Sequence, residues 1–251
     1  MTLEACAELV SRGDPDRFLA AMAAPPEARE RLFPLYAFNL EVARAPWVSA
    51  EPMIGQMRLQ FWRDVLAEIG AGAAPRAHEV VRPLAEVVRR DGLPLAPLDE
   101  MARARWADLE RAPFADAGAL GDYLAATAGS LMWASVAALG GEEGLEAPAR
   151  AVGRASGLAG WLLAVPELEA RGWPARPEGL ADLIGTARED LARARAARFG
   201  PALPAIRAAW RAPAVLARAA HAPEAIAAGG LEGSDFARRG SLLVKTLTGR
   251  W

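Results

Sequence analysis

One cysteine and two histidines in 251 residues leave this chain poorly equipped for several common chemistries. Cys6 has no partner for an intramolecular disulfide and no companions for a thiolate metal cluster. His78 and His221 lie far apart, with no cysteine or further histidine beside either, so an imidazole-built metal centre is not expected. Lysine is nearly absent too: Lys245 is the only one, and arginine carries the remaining positive charge. A formal net charge of -2 offers no general electrostatic footprint for nucleic acid, and no such partner is expected. Val, Ile, Thr and Tyr are sparse beside alanine, a balance that disfavours sheet and favours helix. The opening MTLEACAELVSRGDPDR lacks the basic-then-apolar order of a secretion signal, so a cytoplasmic protein is expected. Gly153, Gly157 and Gly160 fall inside a helical pattern and not after a strand, which excludes a phosphate loop there. Ser130, in Gly129-Ser130-Leu131, lacks both the second glycine of a nucleophile elbow and a nearby histidine.

What is present is apolar and helical. Hydrophobic residues make up 53% of the chain, enough for a sizeable core and too many for disorder over most of its length. Residues 29–66 organise the rest. Leu32, Leu35, Phe38 and Val42 recur at three- and four-residue steps and predict a helix over 29–44, stopped by Pro46. Pro34 within it should bend that helix or mark its true start. A second helix from about Met53 is expected to turn Ile54, Met57, Phe61 and Leu66 inward, with Arg58, Arg63 and Asp64 near its polar edge. Residues 123–141 carry no charge and are nearly long enough to span a bilayer. Their Ala, Gly, Ser and Thr content argues instead for a buried central helix, with Asp122 as its cap, and leaves peripheral membrane contact open. With no strand alternation and no internal repeat, the expected fold is all-α, one domain over residues 1–251.

Several stretches resemble the head-to-head prenyl synthases, the squalene and phytoene synthase family. They are Leu35-Tyr36-Ala37-Phe38, Arg58-Leu59-Gln60-Phe61-Trp62-Arg63, Gly92-Leu93-Pro94-Leu95 and Ala107-Asp108-Leu109. Tyr123, Ala128-Gly129-Ser130-Leu131-Met132 and Gly157-Leu158-Ala159-Gly160 continue the series in order. The resemblance implies an isoprenoid-synthase-like helical bundle around a central cavity. In that family two aspartate-rich motifs face each other and hold Mg²⁺ against the diphosphate leaving group. Matched onto this chain, the first motif places its aspartates at Ala43, Arg44 and Trp47, and the second at Ala164 and Leu168. None of these positions is acidic. The degenerate first motif comprises Tyr36, Asn39, Glu41, Ala43 and Arg44, and the degenerate second comprises Ala164, Glu167 and Leu168. No catalytic residue, metal site or cofactor is expected from them; Mg²⁺ enters only if Glu41, Glu167 and Glu169 act as displaced ligands in a surviving prenyltransferase.

Ala37-Phe38-Asn39-Leu40-Glu41-Val42-Ala43, with Glu51-Pro52, is similar to the family's non-catalytic branch, which includes a mitochondrial assembly factor for respiratory complex I. That likeness implies an assembly protein at the cytoplasmic face of an energy-transducing inner membrane, with a protein partner there. It also leaves room for an isoprenoid or lipid ligand in the cavity. Two structural expectations follow. Tyr36, Phe38, Trp62, Met132 and Trp161 should face one centre, and Asn39, Glu41, Arg58 and Arg63 should be the polar groups of the cavity, with a buried Glu41 paired to Arg44, Arg58 or Arg63, because an unpaired buried charge is too costly to keep.

Overall fold

Proline, glycine and aspartate set the helix boundaries, and alanine-rich faces let the helices pack closely. The computed structural model describes residues 3–251. Helices α1 (Leu3–Gly13) and α2 (Pro15–Met22) meet at Asp14, whose carboxylate accepts the Arg17 amide at 2.9 Å as an N-cap. Helix α3 (Pro26–Arg44) begins earlier than the hydrophobic pattern shows and runs on through Pro34. Pro25-Pro26 starts it, since a proline at the first helical position carries a preset φ and lacks only a donor that would be orphaned anyway. A 3₁₀ turn (Ala45–Trp47) ends it at Pro46.

The chain continues through α4 (Pro52–Gly70), α5 (Val81–Asp91), α6 (Ala96–Ala104) and the short α7 (Ala107–Glu110). Helix α8 (Ala117–Leu124) is capped by Asp116, which accepts the Ala119 amide at 2.8 Å, so the cap lies upstream of the expected Asp122. A π-helical turn (Ala125–Gly129) joins α8 to α9 (Ser130–Ala138). The long α10 (Glu146–Ala170) follows, then α11 (Leu180–Ala194), α12 (Leu203–Ile206), α13 (Ala212–His221), α14 (Glu224–Ala227) and α15 (Asp235–Leu247). There is no strand among the described residues, and the fold is all-α.

The second helix of the organising pair is turned differently from its apparent pattern. Gly55, Leu59, Trp62, Leu66 and Ile69 form its buried stripe, while Met53, Ile54 and Met57 are 69%, 37% and 67% exposed. Gly55 decides this: an added Cβ there would collide with Leu109 and lie 3.3 Å from the Ala45 carbonyl oxygen. The backbone of α4 therefore presses against the end of α3 through its glycine, and the adjacent apolar side chains turn outward.

The uncharged segment is buried in the centre, and no helix among the described residues is long and apolar enough to cross a membrane. Its hydroxyls are satisfied locally: Thr127 donates to the Tyr123 carbonyl at 2.7 Å and Ser135 to that of Leu131 at 2.8 Å. Ser130, Glu100 and Arg150 tie α6, α9 and α10 together, with Ser130 donating to Glu100 at 2.7 Å and Arg150 donating to Ser130 at 2.8 Å. Helix α10 crosses this segment at two glycines. A Cβ on Gly153 would lie 2.6 Å from Met132 Cβ, and one on Gly157 would lie 2.6 Å from Ala128 Cβ. Gly160, one turn on, has nothing within 4 Å of its added Cβ. Gly153→Val should therefore cost roughly 2–3 kcal/mol by forcing α10 off its neighbour. Gly160→Ala should be neutral or stabilising by about 0.5–1 kcal/mol. Urea melts of the two variants check the contrast, and equal losses would contradict this reading of the contact.

Candidate functional site

A cavity of about 420 Å³ lies between the end of α3, the α8–α9 segment and the second half of α10. Leu124, Thr127, Ala128 and Leu131 form one wall at helical spacing, and Ser156, Gly157, Gly160, Trp161 and Ala164 form the wall opposite. Its mouth is aromatic. Trp173 lies tilted at 5.4 Å from Trp47 and edge-to-face at 5.7 Å from Trp161, and the indole N–H groups of both Trp161 and Trp173 have partners: Trp161 donates to the Ala175 carbonyl at 2.8 Å and Trp173 to that of Ala112 at 3.0 Å. Arg171 and Arg111 flank an adjoining recess of about 290 Å³ with Trp47 and Trp173, and the Arg111 guanidinium sits 5.4 Å from the Trp47 ring.

The polar groups of the cavity are already engaged with one another. Arg105 donates to the Tyr123 hydroxyl at 2.5 Å and to Asp108 Oδ2 at 3.2 Å, and the Tyr123 hydroxyl donates to the same oxygen at 3.0 Å. Burial pushes the Asp108 carboxyl above the usual carboxylate range, against the pull of Arg105 and of the Tyr123 hydroxyl. Burial works against the Arg105 charge too, but Tyr123 and Asp108 together hold its pKa above the ordinary value. The Tyr123 phenol is pushed up by burial. Asp108 Oδ1 and Arg105 Nε remain buried without a partner. At the mouth Glu167 pairs with Arg171 on the next turn. Arg17 enters from α2, pairs with Asp14 at 2.7 Å and stands 5.3 Å from the Tyr36 ring.

The residues singled out by sequence separate into two groups. Asn39, Ala164, Glu167 and Leu168 line the cavity, as does Trp47. Tyr36 lies behind it, fully buried, beside a small void that shares Arg17, Ala128 and Leu131 with the main cavity. Burial raises the Tyr36 hydroxyl to about 12. Ala43 is half-buried, and Arg44 is exposed with its guanidinium beside Gly13. The expected Glu41 pair does not form. Glu41 is only half-buried, Arg58 is exposed on α4, Arg63 donates to Asp99 at 2.7 Å, and none of the three lines the cavity, where Asn39 alone of the four expected polar groups stands. Glu41 sits on the flank of α3 and reaches water, so no buried charge demands compensation.

The aromatic centre also divides. Phe38 and Trp62 pack edge-to-face at 5.4 Å in a cluster with Phe61 and His78, whereas Trp161 belongs to the cavity with Tyr123 and Phe114. Arg105, Arg171 and Trp173 escaped the sequence reading. The one available signal was the placement of Asp108 and Tyr123 in family-like stretches, since a buried Asp three residues from an Arg invites a local pair.

Residues 10–178 match the model of the family described as squalene/phytoene synthase. The chain belongs to the squalene/phytoene synthase family. Solved members share its fold: a dehydrosqualene synthase superposes with a TM-score of 0.68 at 17% identity, covering 98% of this chain and 95% of its own. A squalene synthase, HpnC from Alicyclobacillus acidocaldarius, gives 0.62 at 18% identity, over 98% and 94% of the two chains. Among curated relatives, the Homo sapiens protein named NADH dehydrogenase (ubiquinone) complex I, assembly factor 6 is 29% identical over 189 residues, 75% of this chain and 56% of its own length. Its Drosophila melanogaster homolog is 31% identical over 202 residues, 76% of this chain and 58% of its own. The chain thus spans a little over half the length of these relatives.

The cavity of this family member does not fit the divalent metal that the synthase chemistry needs. Among the described residues no group of three or more acidic, histidine or cysteine side chains converges on one point. The carboxylates lining the cavity, Asp108 and Glu167, are each held by an arginine. Arg105→Met or Asp108→Leu alone should cost about 3–5 kcal/mol, since each strands a buried charge. The double variant should lose much less than the sum of the two. Urea unfolding of the four proteins measures this, and strict additivity would show that the pair is not coupled.

Proposed function

We propose that this chain is a non-catalytic member of its family that acts as an assembly or binding protein for a respiratory NADH dehydrogenase, the complex named for its relatives. The five positions matched to the metal-binding aspartates hold Ala43, Arg44, Trp47, Ala164 and Leu168, and that observation carries the reading. Diphosphate ionisation needs several convergent carboxylates to carry Mg²⁺. Of the acids that could be displaced ligands, Glu41 lies outside the cavity, Glu167 is paired with Arg171, and Glu169 is bound by Arg176 at 2.7 Å. Residues 1–251 are taken as one domain working at the cytoplasmic face of an inner membrane, in peripheral contact with it.

The cavity is retained as a pocket for an isoprenoid or other lipid. Its aromatic and aliphatic walls suit an apolar chain. Purified protein incubated with Mg²⁺ and farnesyl or geranylgeranyl diphosphate is expected to give no product above a no-protein control. Turnover that disappears in Glu41→Gln or Glu167→Gln would establish the prenyltransferase instead. Removal of the gene should lower the amount of assembled NADH dehydrogenase on native gels, and an unchanged level would refute the assembly role.

A further inference from the structure

Helix α15 is amphipathic with its apolar face turned away from the protein. Its inner side is fastened by Leu242, which packs on Ala20 and Trp210, and by polar ties. Lys245 donates to the Trp210 carbonyl at 2.7 Å, and Arg238 pairs with Asp235 at 2.9 Å while lying within ion-pair range of Asp16 and Glu232. At about 100° per residue, Leu243, Phe236, Leu247, Gly240, Val244 and Ala237 fall in sequence on one outward arc of about 120°, centred opposite Leu242. Phe236 is 89% exposed, Leu243 60%, Val244 58% and Leu247 76%. Single exposed apolar residues are ordinary, but a continuous row of them on one helix marks a surface that something covers.

Charge selects the cover. Asp235 is the only acid from residue 235 onward, against Arg238, Arg239, Lys245 and Arg250, although the whole chain is net negative. Asp235 is taken up by Arg238, Arg239 is exposed at one edge of the apolar arc, and Arg250 is exposed just beyond the C-terminal end of the helix. A second copy of the chain docked on this face would bring the same cations together, which disfavours self-association. An apolar arc, a cationic edge and low average hydrophobicity are the features of a helix that lies in the plane of a lipid surface.

We propose that α15 seats the protein on an anionic phospholipid bilayer, with Phe236, Leu243, Val244 and Leu247 entering the acyl boundary and Arg239 and Arg250 held at the phosphate level. This deepens the peripheral membrane contact of the functional reading and rests on it, but says nothing of catalysis. The test is flotation of the full chain with vesicles of phosphatidylcholine alone or mixed with phosphatidylglycerol. The protein should float with the mixed vesicles, roughly tenfold or more tightly than with the neutral ones, as two cations near an anionic surface provide. High salt should erase most of that difference.

Phe236→Glu/Leu247→Glu should abolish flotation, and Arg239→Gln/Arg250→Gln should reduce it about tenfold. Met53→Glu/Met57→Glu, on the separate exposed face of α4, should leave it unchanged. In the wild type, amide exchange over 235–247 should slow on mixed vesicles, a readout that needs no variant. Absence of flotation with mixed vesicles, equal flotation of the Phe236→Glu/Leu247→Glu protein, or a salt-insensitive dimer formed through this face would each overturn the proposal. Such a failure alongside absent prenyl-diphosphate turnover and reduced NADH dehydrogenase assembly would remove the lipid contact and leave the assembly role standing.

Discussion

The crossing of α10 over the segment 125–132 is the contact on which the rest of the molecule depends. Gly153 and Gly157 let two helical backbones come closer than any side chain allows, and Gly129 completes the approach with its added Cβ 3.3 Å from the Arg150 carbonyl oxygen. Because α10 is one long helix, that crossing sets where its far end lies. The far end carries Gly160, Trp161, Ala164 and Leu168, which form one wall of the cavity. On the near side Arg150 reaches Glu100 and Ser130, so α6 is held to the same crossing. Cavity width is thus a consequence of two missing methyl groups, one at the cavity wall (Gly157) and one a turn before it (Gly153).

Within that frame the electrostatics are inverted relative to a metal site. A divalent cation is held by converging anionic oxygens, and its charge keeps their mutual repulsion affordable. Here each cavity carboxylate has an arginine beside it, Asp108 with Arg105 and Glu167 with Arg171, so neither negative charge is left uncompensated. The deeper pair shares its one accepting oxygen with the Tyr123 hydroxyl, and its other oxygen has no partner. A buried unpaired oxygen costs about 1–3 kcal/mol.

The fold was largely legible because helix signals are local. Pro25-Pro26, Asp14 and the Asp91-Gly92 stop, with Gly92 left-handed at φ 62°, each act within a turn of their own position. The degenerate motifs were legible only as absences, and the second was placed on the cavity more accurately than the first. Ala164, Glu167 and Leu168 lie on an uninterrupted helix, where spacing converts directly to a face. At the first motif the 3₁₀ turn over Ala45–Trp47 changes the rotation per residue, so Trp47 reaches the cavity while Ala43 and Arg44 do not line it. Glu100 and Asp190 bind Arg150 and Arg154 from α10. Long-range ion pairs of this kind leave no periodic trace.

Two faces show what hydrophobic periodicity cannot decide. It reports that residues share a side of a helix, and not whether that side meets the core. On α4 two apolar stripes were available, and the one containing Gly55 won because close backbone approach at the end of α3 outweighs the burial of Met53 and Met57. On α15 polar ties to Trp210, Asp16 and Glu232 hold the inner side, so the more apolar side is left outward. Neither orientation helps the isolated chain, since exposed Leu, Met and Phe forgo about 25 cal/mol for each Å² left in water. With a well-packed core throughout, these uncovered stripes are where the chain has most to gain from a contact outside itself, and on α15 the proposed bilayer seat is such a contact.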